Sequence, residues 1–594
     1  MPPTNLPPKH TRVLVVGAGP AGSYAASVLA REGISVTVFE ADKFPRYHVG
    51  ESLIPSVRHY MRFIGADDKL AAHGFVHKPG SAIKFNQYKR EGYTDFMALG
   101  TENAAYNVVR SEFDHLLMSH ARASGAAVYE QTKVENISLE ADRPISVNWS
   151  HVPPPEPMSP PASPVTSKGM RLAEDSPTSK AVTGTTTFDY LIDASGRNGL
   201  LSTKYLKNRH FNSSLKNIAV WAYWTNSQTY GIGTPREGAP FFEALTDESG
   251  WAWFIPLHNG HTSVGVVMNQ KRYNEKLKAP AAPSPFSPDS APNPTQSTTI
   301  ARYFSNLSLA PGVVKLMADG MMEGSVRSAS DYSYSAPSYA GPGYRIVGDA
   351  GAFIDPFFSS GIHLAMTSSL SACATICASI RGDCFETTAA DWHTKRVSTS
   401  YTRFQVVVLS AYKQIRSQSD DVLSDIDEDN FDRAFAYLRP VIQGASDMGQ
   451  RLSEHELQKS LDFCVNLFSP TSPEDHSRVA AQPHITQSLL DVASPLVDPS
   501  VLEMALHVEP NVKVRSAPPV SRNHSRKGAG VGNRDRSASE VAETRMVLQK
   551  INARRVVHSE YAINNFESEP IGGYVARLDK GNIGLTRIDA PFAD

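Results

Sequence analysis

Cysteine is scarce in this chain, with four in 594 residues. That excludes a small secreted scaffold stapled by disulfides. An excess of one charge sign is also lacking, since Lys plus Arg number 58 and Asp plus Glu 60, a formal net charge of −2. This balance gives no case for a nucleic-acid partner or a polybasic membrane surface. Long hydrophobic runs are missing, and none approaches the ~18 apolar residues that suggest a membrane span. The opening MPPTNLPPKHTR holds four prolines and no apolar core, so no signal peptide is expected. The final PFAD is neither a prenylation box nor a peroxisomal address. A reduced, globular, cytoplasmic protein is the expectation. At about 150 residues per domain, the length would allow about four domains.

Proline, by contrast, is plentiful and unevenly spread. Of 41 prolines, eight fall in Pro153–Pro177 and six in Pro280–Pro294. Such segments lack the apolar side chains that offset ordering entropy, so 151–183 and 278–297 read as disordered insertions. A Ser-, Arg- and Gly-rich stretch at about 515–540 reads as a mobile loop. Between these windows strands and helices alternate. Arg12–Gly17 (RVLVVG) suits a buried strand, Pro20–Arg31 (PAGSYAASVLAR) a helix stopped at Gly33, and Ile34–Glu40 (ISVTVFE) a second strand. So compact a unit implies a right-handed parallel crossover. Ser111 to Asp114 matches a capping box opening a helix that Gly125 closes. A second box, Ser453 with Glu456, would open a C-terminal helix lined by Leu457, Leu461, Cys464 and Phe468.

Gly17-Ala18-Gly19-Pro20-Ala21-Gly22 joins the first strand to the first helix. GxGxxG alone is a weak signal and can be no more than a glycine turn. Here the strand, the helix and Glu40 at the end of the second strand supply the dinucleotide-binding context. Glycines allow close approach of a pyrophosphate, the helix N-terminus favours its charge, and Glu40 can accept from a ribose hydroxyl. Three further segments, Val109-Arg110-Ser111, Asp189–Gly196 (DYLIDASG) and Arg345–Gly351 (RIVGDAG), follow in the order seen in class A flavoprotein monooxygenases. The chain resembles that family's FAD fold over residues 12–380. The resemblance places Arg110 and Asp349 at the flavin, although Asp349 could equally cap a helix. No second GxGxxG is present, so no separate NAD(P)H domain is expected. The fold class is therefore α/β, a Rossmann-like FAD-binding body over 10–395. An interleaved substrate sheet is expected at about 80–110 and 210–330, with a mainly helical cap over 396–594.

Gly250-Trp251-Ala-Trp253-Phe-Ile255-Pro256 lies on an expected strand, returned through His258-Asn259-Gly260-His261 into Thr262–Met268. Period two places Trp251, Trp253 and Ile255 on one face. By pattern alone, the aromatics could simply fill a core. This WxWxIP resembles the signature of flavin-dependent halogenases, as do Phe44–Ser56 (FPRYHVGESLIPS) and Phe353–Ile362 (FIDPFFSSGI). The resemblance implies that Trp251 and Trp253 separate flavin from substrate. It also implies that Ser360 and Gly361 hold chloride ahead of a helix running on from His363, that Ile362 touches the flavin, and that Glu51 sits in a flavin loop. Consecutive N–H groups at a helix start suit an anion in any case. The same resemblance makes Lys78 the residue that meets hypohalous acid. Most lysines are merely solvated, and Lys84 in AIKF is the fallback.

Tryptophan halogenases carry a glutamate where this chain has Phe358, so a tryptophan substrate is not expected. The resemblance runs closest to fungal halogenases of free phenolic polyketides. FAD arriving reduced from a separate flavin reductase, chloride as co-substrate and a phenolic small molecule are implied. The alternatives are a flavin aromatic hydroxylase that reduces its own flavin with NAD(P)H, and a non-catalytic scaffold using its proline-rich loops. No metal chemistry is expected, because Cys373 and Cys377 have small neighbours and no paired His, and read as buried thiols.

Overall fold

A computed structural model describes residues 6–87, 91–97, 104–153, 181–278, 284–286, 298–418 and shorter pieces between 473 and 588. The second capping box, Cys464 and nearly all of the three windows expected to be disordered or mobile lie outside the described residues.

The first sheet is built on β1 (His10–Val16), where every residue from Val13 on is buried. On one side lies β2 (Val36–Phe39) and then β7 (Ala127–Tyr129); on the other, β10 (Val182–Asp193) and then β17 (Tyr344–Ile346), all parallel. Helix α1 (Pro20–Arg31) makes the expected crossover between β1 and β2. An edge strand, β16 (Ala340–Gly341), and an antiparallel pair, β8 (Thr132–Glu140) with β9 (Arg143–His151), complete it. Alternation along β1 separates two cores. Val13 and Val15 face α1, α4 (Arg110–Ala123) and α8 (Gly361–Arg381), while Leu14 and Val16 pack with Phe39, Trp149 and Leu191.

The second sheet has the order β15 (Met321–Ser335), β11 (His210–Thr225), β14 (Thr262–Asn269), β13 (Gly250–Pro256), β12 (Phe241–Ala244), β4 (Gly80–Lys84), β5 (Gly92–Asp95). Its two faces are shared out by period two. Trp251, Trp253 and Ile255 join the main core, whereas Ala252 and Phe254 meet α6 (Thr298–Leu307) and α7 (Pro311–Met317) through Phe304, Leu307 and Val313. A separate ribbon pairs β3 (Val76–Lys78) with β6 (Ala105–Asn107). Helices α2 (Ser56–Ile64) and α3 (Asp67–Ala72) precede it.

Four expectations are corrected. Helix α4 starts at Arg110 with Val109 as its N-cap and no side-chain cap, so Ser111 is not a capping residue. Asp114 cannot complete a box because its carboxylate is taken by Arg110 (2.9 and 3.1 Å) and Arg46 (3.3 Å). The small-residue helix starts at Gly361, two residues before His363. That helix, α8, is long and apolar enough to cross a membrane by length and composition, with 89% of the relevant window buried inside the protein. Its isoleucines, leucines, methionine, alanines and cysteines carry the hydropathy, and interspersed Ser and Thr keep them from forming one continuous apolar run. It is the central core helix, packed on α1 and on α9 (Glu386–Ile415). Finally, the boundary placed at 395–396 falls inside α9. The C-terminal hairpin β18 (Tyr574–Arg577) and β19 (Gly584–Arg587) packs back on α8, with Trp392 Nε1 donating to the Tyr574 carbonyl at 3.1 Å.

The glycine fingerprint is tightly built. A Cβ on Gly22 would lie 1.9 Å from the Gly17 carbonyl oxygen, and one on Gly17, whose φ is +100°, would lie 2.3 Å from that of Ala194. Gly22→Ala is therefore expected to cost about 1–3 kcal/mol or more, read as a lowered midpoint in denaturant unfolding. An unchanged midpoint would contradict the close approach of β1, α1 and β10.

Candidate active site

Four segments converge around the start of α1. Gly19 caps the helix with extended backbone and no side-chain cap, leaving its N-terminus open to an anion. A Cβ on Gly19 would meet only the Arg46 guanidinium, at 3.4 Å. Arg46 is thus a cofactor candidate that motif reading missed, and its signal is the FPR of the loop after β2. Glu40 is buried just past β2, and its carboxylate accepts from Ala18 N (2.6 Å) and Asp42 N (2.9 Å). Burial raises its pKa. Those bonds fix the carboxylate beside the fingerprint with lone pairs remaining for a hydroxyl donor. Asp349 sits in a one-turn helix after β17, half-buried, and burial pushes its carboxyl up to about 6 against the pull of Arg197, Arg110 and Arg209. An open glycine cradle beside a guanidinium, with Asp349 near three arginines, fits an FAD.

The loop Phe44–Ser56 ties this cradle to the rest. Arg110 Nη1 donates to the Val49 carbonyl (2.7 Å), and Ser56 Oγ lies 3.0 Å from His363 Nδ1 on α8. Glu51 is buried and accepts from Tyr223 Oη at 2.6 Å, and burial raises its pKa. Main-chain bonds from Leu53 N to Tyr106 O (3.0 Å) and from Val108 N to Glu51 O (2.7 Å) fasten the loop to β6.

Lys78 lies beneath that loop, 1% exposed. Its Nζ donates to Ser52 Oγ (2.8 Å) and the Leu53 carbonyl (2.7 Å) and sits 5.1 Å from the Phe96 ring centroid. Desolvation lowers its pKa to about 7. Lys84, the fallback, is half-buried on β4 and shows no comparable enclosure. Sequence reading missed Asn107, which is fully buried with both amide atoms unpartnered. It stands diagonal to Lys78 on the same face of the β3–β6 ribbon, by a register that only the strand pairing reveals.

On the other side, Trp251 and Trp253 are buried with ring centroids 5.8 Å apart. Gly265 stands opposite Trp253, where a Cβ would lie 2.3 Å from the indole ring. Trp251 meets Phe357 of the Phe353–Ile362 segment edge-on at 5.0 Å. Tyr412 Oη on α9 accepts from Trp251 Nε1 (2.8 Å) and Asn217 Nδ2 (2.8 Å) and donates to Asp355 Oδ2 (2.7 Å). The segment then turns through Ser359, at φ +57°, into Ser360, the N-cap of α8. Ser360 is fully buried, its Oγ unpartnered and not spent on capping, and Ile362 is buried behind it. Gly361 faces open space, with nothing within 4 Å of an added Cβ.

This geometry can be set beside known proteins. The family model described as tryptophan halogenase matches residues 12–156 and 179–423. The chain belongs to the flavin-dependent halogenase family. It is 48% identical to the flavin-dependent halogenase armH1 of Armillaria mellea over 98% of this chain and 99% of that one. It is 45% identical to ascD of Acremonium egyptiacum over 99% and 94%, and 40% identical to the sulochrin halogenase gedL of Aspergillus terreus over 98% and 94%. Among solved structures, the halogenase CmlS matches at 25% identity and TM-score 0.57, over 77% of this chain and 78% of that one. The halogenase CndH matches the fold with the same TM-score at 24% identity, over 77% and 97%. The protein is a flavin-dependent halogenase built on a Rossmann-like α/β body, and FAD is the cofactor its family implies. Halogenase names among these relatives give no support to the hydroxylase alternative.

Two measurements check this geometry. Tyr412→Phe removes the acceptor of two buried donors and the donor to Asp355, so a loss of about 1–3 kcal/mol in denaturant unfolding is expected. Lys78 gives a pH signature. Between about pH 10.5 and 7 the unfolded chain carries a proton on this amine that the folded chain does not. Wild-type stability should therefore fall as pH drops through that window and level off below it. The stability of Lys78→Met relative to wild type should improve over the same window by on the order of a few kcal/mol; a pH-independent difference would place the charged amine inside the folded protein.

Proposed function

We propose that this halogenase chlorinates an electron-rich phenol, of the free polyketide type, through hypochlorous acid handled by Lys78. The observation that carries the reading is the enclosed amine of Lys78, with a pKa of about 7 and bound only to neutral oxygens among its hydrogen-bond acceptors. When bound in its reduced form, delivered by a separate reductase, FAD supplies the reducing equivalents with which O2 and chloride become hypochlorous acid. Arg46, Glu40, Arg110, Asp349 and the Gly17–Gly22 turn would hold it. Ser360 and Gly361 would hold chloride at the start of α8, where backbone N–H groups favour an anion. Trp251 and Trp253 keep the phenol apart from the flavin, because their rings are locked by Tyr412 and by Ser263, whose Oγ accepts from Trp253 Nε1 at 3.1 Å. As a neutral amine, Lys78 forms an N–Cl bond with release of water and passes chlorine to the ring carbon. As an ammonium, it would hydrogen-bond the acid instead.

Phe358 supports the substrate class. It packs edge-on against Phe357 at 4.9 Å and offers no carboxylate to activate a weak nucleophile. A phenol oxygen already directs electron density to its ortho and para carbons.

With a reductase, NADH, FAD, O2 and chloride, Lys78→Ala should lose chlorinated product by mass spectrometry while still consuming O2 with reduced flavin. Wild-type chlorination should rise with pH through about 7, as expected for the neutral amine. Retained chlorination in Lys78→Ala would remove Lys78 from the reaction, and a rate falling with pH would assign the ammonium instead.

A further inference from the structure

We propose that His73, Glu112 and His258 form a binding site for a divalent transition-metal cation of the Zn2+ class, outside the flavin and halide sites. Their ligand atoms all lie within 4.8 Å of one another. His73 Nε2 is 2.6 Å and His258 Nε2 3.2 Å from the same oxygen, Glu112 Oε2. Tetrahedral bonds of 2.0–2.1 Å would put donors about 3.3 Å apart, so an ion would replace the direct His73–Glu112 contact at 2.6 Å.

The three residues come from separate elements. His73 is the C-cap of α3, Glu112 lies in the first turn of α4, and His258 opens the turn between β13 and β14. Their rings are held before any ion arrives. Phe75, itself buried, stacks on His73 at 4.1 Å and 24° and meets His258 edge-on at 5.2 Å and 89°. Behind it, Phe113 closes at 6.5 Å. His258 Nδ1 has no hydrogen-bond partner, so the Nε2 side alone sets its tautomer. Binding a cation through Nε2, 3.2 Å from Glu112, would place the ring proton on Nδ1.

Donor chemistry selects the ion. Two imidazoles and one carboxylate favour Zn2+, Co2+ or Ni2+ over Mg2+ and Ca2+, which take oxygen ligands. The side chains are 22–37% exposed, which leaves room for water to complete the coordination. A bound cation would clamp the start of α4, which carries Arg110, to the hairpin that carries Trp251 and Trp253. Spacing along the chain could not reveal such a site, because its ligands come together only in the fold.

The test uses tag-free, chelator-treated full-length enzyme, titrated with Zn2+ by calorimetry and with Co2+ by absorption spectroscopy. One equivalent of Zn2+ should bind, raise the unfolding temperature and displace Co2+ from a tetrahedral spectrum. His258→Ala and Glu112→Gln should each weaken binding by at least about tenfold and abolish both the Co2+ spectrum and the Zn2+-dependent stabilisation. Absence of stoichiometric binding, or binding unchanged in both variants, would overturn the proposal.

Discussion

The Tyr412 hydroxyl is the joint on which the reactive half of this enzyme hangs. It accepts from Trp251 and Asn217 and donates to Asp355, and all four residues are buried. Each belongs to a different structural unit: the tryptophan hairpin, the neighbouring sheet strand, the halide-type segment and the long helix α9. Apolar packing would tolerate small slips between these units. Buried donors and acceptors do not, because each lost partner leaves a desolvated polar group. The position of Ser360 and Gly361 relative to Trp251 and Trp253 follows from that requirement, reinforced by Asp355 accepting from Phe357 N at 3.1 Å.

The Phe44–Ser56 loop has the same role on the cofactor side. It covers Lys78, receives Arg110, positions Glu51 on Tyr223 and meets α8 through His363. One short loop therefore couples the amine, the FAD cradle and the start of the halide-type helix. Enclosing an amine there costs folding energy at neutral pH, because desolvation disfavours its charged form. Glu51, Asp349 and Lys78 are all displaced toward neutrality, each chiefly by desolvation. These ionisable groups thus lie in a low-dielectric space, where a charge is felt strongly.

Much of this was legible beforehand where it depends on local periodicity or close approach. The β1–α1–β2 crossover followed from RVLVVG, the glycines and ISVTVFE. The shared face of Trp251, Trp253 and Ile255 followed from period two, and burial of Cys373 and Cys377 from their small neighbours. Failures have a common cause. Ser111 matched a cap by spacing, but Asp114 was claimed by two arginines, one of them from a distant loop. Helix α8 did not look like a membrane-length segment because Ser and Thr interrupt its apolar residues, and its place as the core helix comes from α1 and α9 on either side. Arg46, Asn107 and Tyr412 carry no motif, and their importance arises only from what they face.

By itself, the sequence determined the glycine turn between β1 and α1 and the aromatic face of the hairpin, because backbone conformation at glycine and strand alternation are set by residues a few positions apart. Tertiary structure alone decided that Lys78 would be desolvated, that Tyr412 would lock Trp251 to Asp355, and that His73, Glu112 and His258 would share one point. Burial, long-range hydrogen bonds and ligand convergence depend on segments far apart in the chain, whose meeting is fixed by how the two sheets and α8 pack.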